Sequence, residues 1–528
     1  MATTHLIDTD NCLIRLPQEG PLLGWTRWSC DCTSVVATLF ATLDDSGSAP
    51  VLAWLVSYAD TQGRRQFLTP LPDRYTDSGK WSAPYCVLEV NIPFAAFSSG
   101  SIKLEVVSLH KIQEEGQPFS LPTDEQRKAM LYDLTRYVGL REMLQNRLKK
   151  KRMLLLDPSP ESRSFKRRSD RNLDEAIVTQ RLPPKKDQPD NFKLIATTCR
   201  YPGFAFEARR VDAASFDIIA RDHSNASGML MLGDQIYADA TASLFDNLTS
   251  LEKFQARYHA MFRSPGFAKA VRAIPCYMTG DDHEFKDSWS VPDDSLSLAL
   301  HAAAQQSFGV YQLSHSPFKG ALDKPPFDYS FTCGPVAVYV MDTLSNRDTT
   351  VPGEEQIVSA LQLADFKNWL TRSSEFEYVI LATGAVVAPG DKVALDAANE
   401  TDVSRAQGSE NWQGSNKQRV ELLSIISTSK AKILLVSGDY HCAAMASIKG
   451  KDRKEIAKAV VAPPAYAPMR YVSKTIGMLA PLEKTGGYEI ELILDGPGKP
   501  TEGSGFAIIT IEDGDWVVNF KTQEVADT

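Results

Sequence analysis

Six short apolar runs, each stopping at a glycine or a polar side chain, constrain this 528-residue chain more than any other feature. Phe192 to Thr198 leads into Cys199, Gly228 to Leu232 into Asp234, Ala273 to Thr279 into Asp281, Asp282 and His283, and Ala431 to Ser437 into Asp439 and His441. Pro335 to Met341, before Asp342, and Glu377 to Thr383, before Gly384, have the same shape. A short apolar run without alternation fits a strand buried on both faces. Helical patterns such as Asn247 to Phe262 and Gly353 to Arg372 lie between the runs. Strand, polar loop and helix in repetition predict an α/β sandwich whose loops converge at the carboxyl ends of the strands.

A carboxylate at the end of a buried strand is costly unless a crevice or a cation compensates its charge. Convergence of four strand ends brings together Cys199, Asp234, Asp282, Asp439, Tyr237, His283 and His441. One ion needs fewer ligands than that. Two ions sharing a bridging carboxylate, with a hydroxide between them as nucleophile, is the natural arrangement. Singly, each residue has a plainer reading: Cys199 as a core thiol, Tyr237 as an amphipathic aromatic, His441 as a satisfied core histidine, Asp234 as a helix cap. The joint pattern favours the site. Neither a GxSxG elbow nor a P-loop is present, which weakens rival hydrolase readings.

The segments ATTCRYPG (from Ala196), GDQIYAD (from Gly233), GDDHEF (from Gly280) and SGDYHCA (from Ser437), in this order, resemble the PhoD-like branch of the calcineurin-type metallophosphatases. MDTLSNRD, GEEQ and NWQGSNKQR, from Met341, Gly353 and Asn411, add to the likeness, which spans about Lys193 to Phe520. The wider superfamily shows D-x-H, G-N-H-E/D and G-H-x-H, whereas this chain has Cys199, D-D-H-E and G-D-Y-H. The resemblance implies a four-layer α/β/β/α sandwich with two central mixed sheets, and metal-dependent hydrolysis of phosphomonoesters or phosphodiesters, as in alkaline phosphatase D-like enzymes. It implies that Cys199, Asp234, Tyr237 and His441 hold one ion, expected to be Fe3+. Asp234 would bridge to a divalent ion (Ca2+, Mn2+ or Zn2+) that Asp282 and Asp439 help to hold.

The chemistry of the donors agrees, since a trivalent ion keeps a thiolate and a phenolate deprotonated at neutral pH, although sulfur also suits zinc. A guanidinium would steady the developing charge, with Arg200 the first candidate and Arg347 the second. His283, beside Asp282, is placed to protonate the leaving alkoxide, an effect of about 10²- to 10⁴-fold. Two departures from the family pattern stand out. The loop after Thr383 reads GAVVAPG, leaving Thr383 as the polar candidate, and Leu344 stands where relatives tend to offer an arginine. Asp348 to Pro352 and Ala388 to Asn411 are polar loops near the expected mouth, lids or plain surface.

The remainder divides into residues 1–115, a β-rich sandwich-like module; 116–190, an amphipathic helix over Thr123 to Arg152 and a basic connector; and 191–528, the phosphatase domain. Net charge is −9, yet residues 141–186 carry 14 Lys and Arg against 6 Asp and Glu. A solvated helix face with a connector explains that stretch. A contact with nucleic acid or phospholipid is the alternative, and with it a catalytically weak scaffold in place of an enzyme. The start of the chain lacks the basic and apolar regions of a secretory signal. No window has the apolar length of a membrane span, and the eight cysteines form no framework. A cytoplasmic location is therefore expected, with oligomeric state open.

Overall fold

The computed structural model describes residues 12–15, 17, 20–42, 51–62, 65–68, 85–111, 176–201, 212–238, 251–287, 289–291, 298–349, 355–390, 411–467 and 476–523. They fall into two units, Met1–Leu182 and Pro183–Thr528. The helix expected over Thr123 to Arg152, and most of the basic stretch 141–186, lie outside the described residues.

The first unit contains β1 (Cys12–Arg15), β2 (Leu22–Trp28), β3 (Ser34–Thr42), β4 (Val51–Ala59), β5 (Arg65–Leu68), β6 (Tyr85–Pro93), β7 (Ser101–Lys111) and β8 (Ile177–Arg181). One sheet runs β1-β7-β4-β5 with β8 also on β7, and the other runs β2-β3-β6. Leu23, Leu39 and Val90 from one sheet meet Val56, Leu104 and Val178 from the other in a shared apolar core. Strand β8 comes from the segment assigned to the connector by sequence, and alternates half-buried Ile177 and Thr179 with buried Val178 and Gln180. That period of two suits a strand packed on one face.

In the second unit the six apolar runs become β9 (Lys193–Arg200), β10 (Gly228–Leu232), β11 (Cys276–Thr279), β13 (Val336–Met341), β14 (Tyr378–Thr383) and β15 (Lys432–Ser437), with β12 (Tyr329–Cys333) before β13. They are followed by β16 (Ala444–Lys449), β17 (Glu455–Val461), β18 (Pro464–Tyr466), β19 (Leu482–Thr485), β20 (Tyr488–Leu492), β21 (Ser504–Glu512) and β22 (Asp515–Gln523). A six-stranded sheet has the order β11-β10-β9-β21-β22 with β18 on β9, and an eight-stranded sheet the order β12-β13-β14-β15-β17-β16-β20-β19. The apolar runs pair in parallel with one another within each sheet, β17 on β15 and β18 on β9 are also parallel, and β12 on β13 and β21 on β9 are antiparallel. Both sheets are therefore mixed.

The sheets face each other. Tyr277 of β11 stacks on Phe331 of β12 at 3.9 Å, the Tyr329 hydroxyl donates to the Met278 carbonyl at 2.8 Å, and the Trp516 indole donates to the Lys432 carbonyl at 3.0 Å. On the outer face of the six-stranded sheet lie α1 (Asp217–Asp222) and α3 (Pro265–Val271), joined edge-to-face through Phe216 and Phe267; α2 (Leu251–Phe262) precedes α3 and α4 (Leu298–Phe308) follows β11. On the outer face of the other lie α5 (Ala360–Arg372) and α6 (Asn416–Ile426). Ser359 caps α5 by accepting from the Gln362 N–H. Leu363, Phe366 and Leu370 of α5 and Leu422 and Ile426 of α6 then bury on Tyr339, Leu381 and Leu435. The result is the four-layer α/β/β/α sandwich. Among the described residues no helix is long and apolar enough to cross a membrane.

Candidate metal centre

The carboxyl ends of β9, β10, β11 and β15 meet because tight backbone contacts leave them no other path. The Thr198 hydroxyl donates to the Leu232 carbonyl at 2.9 Å, the Cys199 N–H to Gly233 at 3.1 Å and the Arg200 N–H to Asp234 at 2.8 Å, which ties β9 to the loop after β10. Gly233 has φ +89°, and a Cβ there would lie 2.5 Å from the Asp281 Cβ, so this turn admits only glycine. Cys199, Asp234, Asp439 and His441 all adopt positive φ (43°, 57°, 66° and 50°), a conformation costly for side-chain-bearing residues and concentrated at functional sites.

These turns aim the side chains at one another. Ligand atoms of Cys199, Asp234 and His441 lie within 4.8 Å of one another, as do those of Asp234, Asp282 and His283. Asp234 is common to both groups. Cys199 Sγ stands 3.4 Å from Asp234 Oδ2, while the Tyr237 hydroxyl is 3.4 Å from Asp234 Oδ2 and 3.3 Å from His441 Nε2. The Tyr237 ring also packs on the His283 imidazole, with centroids 4.2 Å apart. Asp234 Oδ1 is buried and has no hydrogen-bond partner. A buried carboxylate oxygen left unpartnered calls for a ligand.

The electrostatics have the same sense. Burial first, and then the Asp234 charge, push the Cys199 thiol well above its ordinary range. Burial, Cys199 and Asp234 do the same to the Tyr237 phenol. Asp234 itself is raised by burial and by Asp282 and Asp281, against the opposing pull of His283. Burial and the neighbouring His283 lower His441 to about 4. Cys199, Tyr237, Asp234 and His441 are thus all biased toward their neutral forms, chiefly by burial. A cation reverses that bias, so the donor set fits one.

A family model for the PhoD-like phosphatases matches residues 211–467. This segment is PhoD-like. A solved structure described as "Structure of PhoD" superposes with a TM-score of 0.60 at 14% identity, covering 96% of this chain and 87% of that one, which shows a common fold. No curated protein matches the sequence. Within the PhoD-like match lie Asp234, Tyr237, Asp282, His283, Arg347, Asp439 and His441, and just before it lie Cys199 and Arg200.

The structure does not gather every expected residue alike. Asp439 falls in neither ligand group and reaches Cys199 Sγ through its backbone carbonyl, at 3.7 Å. Arg200, the next residue along β9 from Cys199, directs its guanidinium to Asp212 at 3.9 Å, between the rings of Phe216 and Phe267. Side chains on a strand alternate faces, so neighbours on β9 cannot both enter the centre. Burial holds Arg200 down at about 10. Arg347 is fully buried in an ion pair with Asp281, its Nε donating to the Thr343 carbonyl at 3.1 Å; burial opposes its charge, and Asp281 and Asp282 restore it. The Thr383 hydroxyl donates to the Ala385 carbonyl at 2.7 Å. The polar loop of residues 391–410 lies outside the described residues.

Two acids received no role from sequence. Asp281 caps the turn Asp282–Glu284 and holds Arg347. Glu284, wholly buried, accepts from the backbone N–H groups of Asp234 at 2.9 Å, Gln235 at 2.6 Å and Asp281 at 2.8 Å. The Asp281-to-Glu284 spacing of a capping box was the available signal.

Proposed function

We propose that this PhoD-like chain hydrolyses phosphate esters at a dinuclear metal site in which Asp234 is the shared ligand. The observation that carries the reading is the pair of ligand groups meeting at Asp234, whose Oδ1 is buried without a partner. Cys199, Tyr237 and His441 would complete an Fe3+ site with Asp234. Asp282 and Asp439 would help hold a divalent ion, Ca2+, Mn2+ or Zn2+. When bound, the ions supply Lewis-acid charge to the phosphoryl oxygens and acidify water. In this reading residues 191–528 are the catalytic domain, preceded by the module 1–115 and by the segment 116–190, whose β8 belongs to the first unit's sheet.

The chain's own residues do the rest. Only half-buried, and packed against Tyr237, the His283 imidazole borders the centre from the solvent side, where it can hand a proton to a departing alkoxide. Asp282, the residue before it, shares a ligand group with it. Arg347 acts through Asp281, neutralising that carboxylate and fixing the turn that carries Asp282 and His283. Arg200 braces the β9 end against Asp212.

Purified protein, stripped and reloaded with Fe3+ and each divalent ion, is to be assayed with p-nitrophenyl phosphate, its bis ester and a simple alkyl phosphate. Asp234→Asn is expected to abolish turnover and metal uptake together. His283→Ala is expected to lower kcat by about 10²- to 10⁴-fold on the alkyl ester and far less on p-nitrophenyl phosphate, whose leaving group needs no proton. Loss of metal in His283→Ala, or an equal fall on both esters, would make the imidazole a ligand and remove the acid role. Wild-type protein inactive with every metal would end the proposal.

A further inference from the structure

The two ligand groups hang from one side chain that belongs to neither. Glu284 Oε2 accepts from the backbone N–H groups of Asp234 (2.9 Å) and Asp281 (2.8 Å), and Oε1 accepts from the backbone of Gln235 (2.6 Å) and from Gln312 Nε2 (2.9 Å), with the Ile236 N–H at 3.4 Å. Both loops, the one after β10 and the one after β11, therefore close on the same carboxylate. A carboxylate offers acceptors alone, whereas an amide must point an NH2 at one of the two positions, where N–H donors already stand. Gln312 is delivered by a π-helical turn, Gly309–Leu313, that follows α4. The turn begins at a glycine whose Cβ would lie 2.2 Å from the Leu322 carbonyl oxygen. Such turns inside helices recur at functional sites. Gln312 Nε2 also lies 3.1 Å from the Tyr258 hydroxyl, so the amide is held between α2 and Glu284.

From this convergence we infer that Glu284 is the positioning residue of the metal centre: it sets the spacing of Asp234 against Asp282 and thereby the affinity for the ions, without touching them. The inference rests on the two-metal reading above. A structural glutamate serving only the fold would leave metal affinity unchanged in a folded variant. One that sets ligand spacing shifts affinity while kcat recovers at high metal, as for outer partners of metal ligands generally, whose loss costs about 10- to 100-fold in affinity.

The test is metal titration of the full chain, with Mn2+ and Zn2+ against a competing chelator, for wild type, Glu284→Gln and Gln312→Met, alongside thermal unfolding of each metal-free protein. Glu284→Gln is expected to bind about 10- to 100-fold more weakly and to regain most of its kcat when metal is raised. Gln312→Met, which removes one donor and keeps the backbone contacts, is expected to weaken binding in the same direction by less. Folded Glu284→Gln with wild-type affinity overturns the inference. Should Glu284→Gln fail to fold, wild-type affinity in Gln312→Met overturns it. A wild-type protein that takes up no metal removes the two-metal reading itself, an outcome distinct from wild-type uptake with unchanged variants.

Discussion

At the scale of single residues, the centre is a place where burial and like charge act together. Asp281 is raised to about 6 and Glu284 to about 7, in both cases chiefly by burial, with Arg347 opposing for the first and backbone N–H donors for the second. In the unfolded chain both lose their protons near pH 4. Between there and pH 7 these two carboxyls hold more protons in the folded metal-free protein than in the unfolded chain, so their contribution to stability falls as pH rises, while His441, lowered to about 4, and His315, lowered by burial to about 3, contribute in the opposite sense up to about pH 6.5. Metal binding at the proposed ligands would have the opposite sign, because the ions would displace protons from Cys199, Tyr237 and the carboxylates. Thermal unfolding at pH 6.5 and 8, above the range in which the histidines titrate, should show the chelated protein losing Tm with pH and the loaded protein gaining it; parallel curves would contradict the account. Which residues gather at the centre was legible because an acid or thiol after an apolar run has no cheap structural excuse. The orientation of each was less so. Arg200 was read as an ion-site guanidinium from its adjacency to Cys199, but on a strand adjacency means opposite faces, and its charge went to Asp212.

Elements were legible in proportion to their burial. The six apolar runs became strands in the expected places, since a strand packed on both faces must be apolar throughout. Strand β8 was missed because its five residues alternate and sit beside a Pro- and Lys-rich stretch that reads as linker. The loops were legible as sites but not as contacts, which depend on backbone approach that composition does not encode. Gly438 shows why. A Cβ on it would lie 2.1 Å from the Leu232 carbonyl oxygen and 2.5 Å from Thr198 Oγ1, so only glycine lets the end of β15 reach β9 and β10. Gly438→Ala should therefore cost roughly 1–3 kcal/mol in urea unfolding and weaken metal binding. Gly477→Ala, at a position with open space around the added methyl group, should stay within about 0.5 kcal/mol.

For the whole molecule, the division at Leu182 and Pro183 separates chemistry from the β sandwich: every candidate ligand, His283 and both arginines belong to the second unit. That unit has its own apolar core, in which Trp412, Phe366 and Leu435 are fully buried, and its strand pairings close within it. A small substrate needs the centre and nothing beyond it. A fragment starting at Pro183 should accordingly fold, take up the same number of metal ions per chain as the full protein, and hydrolyse p-nitrophenyl phosphate with kcat/KM within about threefold, roughly 0.65 kcal/mol in barrier height. The fragment lacks nearly all of the basic stretch 141–186, so any help that this stretch gives an anionic macromolecular substrate would appear as a loss confined to large substrates and to low salt. If the folded fragment keeps its metal but loses more than tenfold on p-nitrophenyl phosphate, residues of the first unit or the connector shape the site, and the separation of chemistry from the sandwich does not hold.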